Sequence, residues 1–454
     1  MTKNMFLLLI PMFILSLIND SSEAKLFPIW QEGKFGFITE KGKIIVEPQF
    51  DEVAEFSAGL AGVRVGDKWG YIAKNGKFAI EPDFDEVGMF LPSDAYSQYA
   101  VAAYVKQNDK YGFVDKKGNL VIEPKYEELE PFLSDYTLVK YNGKYGYINK
   151  KGEAIIEPQF DDAEPYSVDY ALVKAGGKYG YIDKKGAFAV EPQFDDVDHY
   201  SSFPYDTTAV KIGDKWGFID GKGKLVIEPL FDSASSFSSL SQLTPVESNG
   251  KFGYINLQGK YVIEPEYDEA HVFIDGIASI KVGGKWGYID EKGQFMLEPK
   301  YDYVDFTFHD GTAVVGIGDR FGYISSKFEI MIDIRFNEVY SFENGMALVK
   351  ESDTWGFINK GGEYIVLSQF EEIYMSDLYT SNLVRIKIDG KWGYFAPMVK
   401  KVWIEPQFDD ALPFAGSLAF VLVDNKGGYI NIDGKFVWGP FPLDDSWPFG
   451  EIDW

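Results

Sequence analysis

The chain has 454 residues, of which 46% are hydrophobic and 17% aromatic; that apolar content supports a folded core and excludes a disordered polymer. A net charge of −26 argues against a phosphate backbone or an anionic lipid surface as partner. The absence of cysteine excludes disulfides, thiolate chemistry and lipid attachment at a cysteine.

The first segment reads as a leader. Lys3 gives a weakly basic start, Met5 to Ile18 form a 14-residue apolar run, and Asn19 to Ala24 end in the small-x-small pattern Ser22-Glu23-Ala24. This pattern predicts a secretory signal peptide over residues 1–24, cut after Ala24. An uncleaved anchor is the rival reading, but a membrane span needs about 20 apolar residues. Cleavage leaves a mature chain, 25–454, with charge −25 and no membrane insertion expected. Export without cysteine fits a bacterial envelope better than eukaryotic secretion.

From there one pattern fills the chain. An aromatic-Gly-aromatic triplet recurs at Phe35-Gly36-Phe37, Trp69-Gly70-Tyr71, Tyr111-Gly112-Phe113, Tyr145-Gly146-Tyr147, Tyr179-Gly180-Tyr181 and Trp216-Gly217-Phe218. It continues at Phe252-Gly253-Tyr254, Trp286-Gly287-Tyr288, Phe321-Gly322-Tyr323, Trp355-Gly356-Phe357 and Trp392-Gly393-Tyr394. A twelfth copy, Gly427-Gly428-Tyr429, has lost its leading ring. Most spacings are 34 to 37 residues, with one of 42. Lys or Arg precedes the triplet in eleven copies, a Gly stands seven residues after its first position in ten, and Glu-Pro follows in nine. An aromatic and one or two acids close each unit, as in Gln193-Phe194-Asp195-Asp196.

The unit around Tyr179 predicts short strands. Ala171 to Lys174 is one, Ala175-Gly176-Gly177 turns the chain, and Lys178 to Asp183 is the second, with Tyr179 and Tyr181 opposite Gly180 and Ile182. Lys184-Lys185-Gly186 is a turn suited to positive φ. Ala187 to Glu191 is a third strand, expected to stop at Pro192, and Phe194 to Val197 begins a fourth. Glycine weakens a strand, so its recurrence predicts close packing against a neighbouring strand or ring. A lone meander cannot bury its aromatic face, which explains the series.

Lys215-Trp216-Gly217-Phe218-Ile219-Asp220, with its counterparts at 285–290 and 391–395, resembles the WG-repeat family of bacterial proteins, as do the Gly-Lys turn and the Pro-aromatic-acidic tail. The resemblance spans the mature chain. It implies a β-type repeat domain and carries no catalytic residue across: Trp69, Gly70, Tyr71, Trp216, Gly217, Phe218, Trp286, Gly287, Tyr288, Trp392, Gly393 and Tyr394 are structural positions.

The expected fold is therefore all-β, about twelve tandem antiparallel β-meanders. A propeller-like arrangement in one or two rings is preferred, with an open β superhelix or solenoid as the alternative. Ser233 to Ser241 marks a possible subdivision near 233–245, or an ordinary polar loop. The end of the chain, Leu443 to Trp454, either completes the first unit or caps an open stack.

No catalytic motif appears. His199, His271 and His309 share no repeat position, and no nucleophile elbow, phosphate loop or calcium loop is present. No cofactor is expected. The recurrent acids, among them Asp161, Asp162, Asp195 and Asp196, would line up in stacked units as a carboxylate row able to attract Ca²⁺ or a basic partner. The competing reading is that they cap turns and keep an edge soluble; it is favoured because calcium-binding repeats use glycine-rich turns with fixed Asp spacing. Positions that break the repeat, Phe90 to Tyr104, Phe321 to Phe336 and Trp392 to Trp403, are candidates for function or products of drift. The expected role is a non-catalytic exported scaffold binding a protein, peptide or glycan. A glycan- or peptide-processing enzyme and a structural surface component are the alternatives.

Overall fold

The computed structural model describes residues 25–90, 102–132, 135–199, 203, 207–237, 241–379 and 381–442. The leader at 1–24, most of the 90–104 insertion and the terminal 443–454 lie outside the described residues.

Twelve small antiparallel sheets follow one another along the chain, the first of three strands and the rest of four. The sheets are propeller-type blades, and the only helical pieces among the described residues are short 3-10 turns at Met375–Tyr379 and Pro397–Val399.

The fifth sheet shows how the repeat builds a blade. Its strands are Asp162–Ala163, Tyr170–Ala175, Lys178–Asp183 and Phe188–Phe194, hydrogen-bonded in that order. Gly176 and Gly177, at φ 58° and 80°, make the two-residue hairpin that pairs Ala175 with Lys178. Two successive positive φ values match the right-handed twist of the flanking strands. The next turn is fixed by Asp183, whose Oδ1 accepts the amides of Lys185 (2.8 Å) and Ala187 (3.0 Å).

Two expectations are corrected here. The third strand does not stop at Pro192; it runs on to Phe194. Tyr181 pairs with Val190 but Tyr179 pairs with Phe194, so Gly180 alone faces Glu191, Pro192 and Gln193. This is a bulge on the edge strand, where a proline without an N–H costs no ladder bond. The last short strand, Asp196–Val197, belongs to the following sheet, where it pairs with Thr208–Ile212.

The close packing expected at the glycine is against the neighbouring strand of its own sheet. A Cβ on Gly180 would lie 2.5 Å from the Val190 carbonyl oxygen and 2.8 Å from Pro192 N, both in its own sheet. Gly36, Gly70, Gly217, Gly287 and Gly393 meet the same obstacle at their own bulges. The triplet glycine makes room for the bulge of its own blade, not for a neighbouring copy.

Copies meet through other residues. Tyr181, Val190 and Phe194 of one sheet pack on Val210 and Ile219 of the next. Successive sheets cover each other's faces, so Tyr181 and Ile182 are both buried although they point opposite ways. The turn glycine serves this contact: a Cβ on Gly259 would stand 2.9 Å from Ile227 Cγ2 of the preceding sheet.

Contacts divide the chain into two units, one ending at Pro158 and resuming at Phe370, the other Gln159–Gln369; the 233–245 stretch lies inside the second. Within the first unit the two ends of the repeat meet. Phe27, Ile29 and Ile38 share a core with Leu418, Phe420, Tyr429 and Trp438, and the Tyr429 hydroxyl donates to the Pro28 carbonyl at 2.7 Å. The first and twelfth sheets are packed as neighbours, so neither is a free end of an open stack.

Candidate functional site

The triplet positions occupy the hidden part of each blade. Tyr71, Phe218, Tyr288 and Tyr394 are essentially inaccessible. Burying a phenol requires a partner for its hydroxyl, and the next sheet supplies one. Tyr71 donates to Gly88 O (2.6 Å), Tyr254 to His271 O (2.7 Å), Tyr323 to Tyr340 O (2.7 Å) and Tyr394 to Leu412 O (2.7 Å). The leading rings lie nearer the surface: Trp69, Trp216 and Trp286 are half-buried, and Trp392 is buried.

The acids thought to form a row are used one by one. The first acid of each pair joins two blades. Asp85 accepts Lys68 Nζ of its own blade at 2.6 Å and the Asn108 amide, in the hairpin of the next blade, at 2.7 Å. Asp195 does the same with Lys178 and the Gly213 amide (2.8 Å). Both interactions, Lys178 first, hold the Asp195 carboxyl below its ordinary range. Asp161 accepts the Gly177 amide at 3.3 Å. The second acid grips a lysine that lies over the leading ring. Lys281 contacts Glu269 at 2.6 Å with Trp286 5.3 Å beneath it, and Lys140 contacts Glu128 at 2.7 Å over Tyr145. Asp162 and Asp196 each accept the following backbone amide, at 3.1 and 3.0 Å. Among the described residues no group of three His, Asp or Glu side chains is arranged to hold a metal ion.

The histidines do not converge. His199 Nδ1 lies 2.6 Å from Glu164 Oε1, which raises its pKa. His271 stacks on Trp286 with 12° between the rings, and burial lowers its pKa. His309 closes a tight turn with Thr312.

A buried ion pair escaped the sequence reading. Arg385 stands where other copies place an apolar residue or a Ser, and it donates from Nε and Nη2 to both oxygens of Asp377 at 2.8 and 2.9 Å. Asp377, in the inserted 3-10 turn, is 3% exposed and also accepts the Arg385 amide. Nη1 donates to Ala411 O of the next sheet, and the guanidinium lies over Tyr374. The signal was present in sequence as a lone Arg between Val384 and Ile386, after an insertion. A cavity of about 330 Å³ lies beside Phe113, Val121, Ile122 and Phe132, rimmed by Lys116, Lys117 and Lys150.

The surface offers one further repeated element. On the edge strands the residue two before the Glu-Pro glutamate and the glutamate itself are both exposed. The pairs are Ile45 with Glu47, Val121 with Glu123, Ile155 with Glu157, Val226 with Glu228, Val262 with Glu264, Met296 with Glu298 and Trp403 with Glu405. None of these seven glutamates has an ion-pair partner among the described residues. The sequence reading singled out the acids after the aromatic and passed over these.

With that geometry in place the comparisons are decisive for the family. A family model described as a WG containing repeat matches eleven consecutive segments between residues 35 and 426, from 35–69 to 400–426. The chain belongs to this family. No curated protein matches the WG-repeat chain in sequence. Among solved structures it overlaps a eukaryotic initiation factor at 10% identity and TM-score 0.33, over 70% of this chain and 98% of that one. It overlaps PorZ, a bacterial surface component of the type-IX secretion system of Porphyromonas gingivalis, at 9% identity and TM-score 0.23, over 84% and 64%. A third overlap is with the extracellular domain of BT4673 from B. thetaiotaomicron, at 6% identity and TM-score 0.21, over 94% and 78%. Superpositions this loose carry no function to the WG-repeat chain. Among its described residues no helix is long and apolar enough to cross a membrane.

Proposed function

We propose that the chain is a non-catalytic exported scaffold that presents a repeated surface to a protein, peptide or glycan at the cell envelope. The observation that supports this most directly is the recurrence of one exposed apolar-plus-carboxylate pair on edge strand after edge strand, while the recurrent triplets and their acids are spent on holding blades together. A scaffold repeats equivalent residues across a broad face; an enzyme concentrates unlike residues in one pocket. The leader-like residues 1–24 and the absence of cysteine support the export part of this reading.

A glycan and peptide array screened with residues 25–454 tests the reading. Binding without turnover is the expected result. Hydrolysis of an arrayed glycan or peptide, with no stable binding, would overturn it.

A further inference from the structure

The exposed edge-strand pairs specify a partner more narrowly than the scaffold reading on which this inference rests. In the unit formed by Gln159–Gln369, three successive blades carry Val226 with Glu228, Val262 with Glu264 and Met296 with Glu298. The flanking blades carry Ala189 with Glu191 and Met331 with Asp333 at the same position. Val226, Val262 and Met296 are 43%, 46% and 41% exposed. Each position alone is unremarkable, because single exposed apolar residues are common. Their recurrence at one register position, each two residues from an acid, is what calls for a partner.

The charges narrow the choice. The acids that follow the aromatic of these blades are held by lysines, as Asp268 is by Lys251 and Glu269 by Lys281. Among the described residues Glu228, Glu264 and Glu298 have no such lysine. A second copy of this chain, itself strongly acidic, would bring like charges against them. An uncharged glycan would leave the carboxylates unused. Strand addition along the edge is blocked by Pro229, Pro265 and Pro299, which follow the glutamates directly and have no N–H to offer a ladder.

We propose that these edge strands bind an extended, basic polypeptide segment in which cationic and apolar side chains alternate. Its lysines or arginines pair with Glu228, Glu264 and Glu298, and its apolar side chains cover Val226, Val262 and Met296. The partner is recognised through side chains, one blade after another, so affinity accumulates over several weak contacts.

The test uses the mature chain and two synthetic probes, an alternating Lys-Leu peptide and an alternating Lys-Ser peptide, with fluorescence anisotropy at two salt concentrations. The Lys-Leu probe is expected to bind more tightly than Lys-Ser and to weaken at the higher salt. The triple variant E228Q/E264Q/E298Q should raise its Kd about tenfold, the sum of three exposed ion pairs. V226S/V262S/M296S should remove the advantage of Lys-Leu over Lys-Ser. The control E291Q, at an exposed turn, should change neither. Equal binding of both probes, or unchanged affinity in the triple glutamine variant, would overturn the inference and leave only diffuse acidic attraction. Array binding of glycans with no affinity for Lys-Leu would overturn this inference while leaving the scaffold reading intact. Hydrolysis without binding would remove both.

Discussion

Gly180 and Pro192 face each other across one sheet, and a Cβ on the glycine would come within 2.8 Å of the proline nitrogen. The obstacle is backbone on both sides of a bulge, so neither partner yields as a flexible side chain would. Gly180→Ala is expected to lower stability by about 1–3 kcal/mol, the range for overpacking a close contact. Urea denaturation of the variant measures it, and an unchanged midpoint would show that the bulge can shift. The same substitution at Gly70 or Gly287 should behave alike, because their surroundings repeat.

Tyr254→Phe removes the hydroxyl that donates to the His271 carbonyl of the next sheet. Phe37 and Phe218 stand at this position in their own copies, so the ring itself is tolerated. The expected loss is about 1 kcal/mol, the net worth of a neutral hydrogen bond, with some added cost for the stranded carbonyl. Equilibrium denaturation of the two proteins side by side reads the difference.

Arg385 and Asp377 should behave as a unit. Arg385→Met leaves a carboxylate buried without its partner and is expected to cost about 3–5 kcal/mol. Adding Asp377→Asn should recover part of the loss, since the stranded charge is then gone. If the double variant is as unstable as the sum of the singles, the two residues are not coupled.

The pH dependence separates two kinds of group. Lys178 and the Gly213 amide lower the Asp195 carboxyl, so its contribution is present above the unfolded carboxylate range and is lost as pH falls through the folded value. Asp195→Asn should therefore lower stability at neutral pH and narrow the gap to wild type in acid.

His199 runs the other way. Glu164 raises its pKa, so the contribution is present below the usual imidazole value of 6.5 and disappears as pH rises through the higher folded one. NMR titration of the His199 ring should give a midpoint above 6.5, and Glu164→Gln should bring it down. A midpoint at or below 6.5 in the wild type would show that the pair is not formed.

Much of this architecture was readable from sequence because period and punctuation agree. The strand Lys178–Asp183 and the Gly176-Gly177 hairpin follow from alternation and paired glycines. What stayed hidden was which strands share a sheet. Asp196 follows Asp195 in the chain but pairs in the next blade, and no local preference reveals that switch. Pro192 misled for a similar reason, since a proline ends a central strand but is allowed at an edge, and edge status is a property of the assembled sheet. The recurrence of the acids is plain in sequence, and Asp85 and Asp195 each accept an amide at a turn of the next blade, yet their lysine partners sit 17 residues earlier, beyond any local pattern. Asp377 and Arg385 were invisible as a pair because the inserted turn Met375–Tyr379 has no counterpart among the described residues of the other copies.

That the blades hide their rings only against neighbours, the first against the last included, is tested most directly by hydrogen exchange read by mass spectrometry on the intact mature chain. The strands Leu26–Gln31 and Leu418–Val423 should be protected to the same degree as the internal strand Ile277–Val282. Rapid exchange in both terminal strands beside slow exchange in the internal one would contradict the packing of Tyr429 on Pro28 and leave the series with free ends.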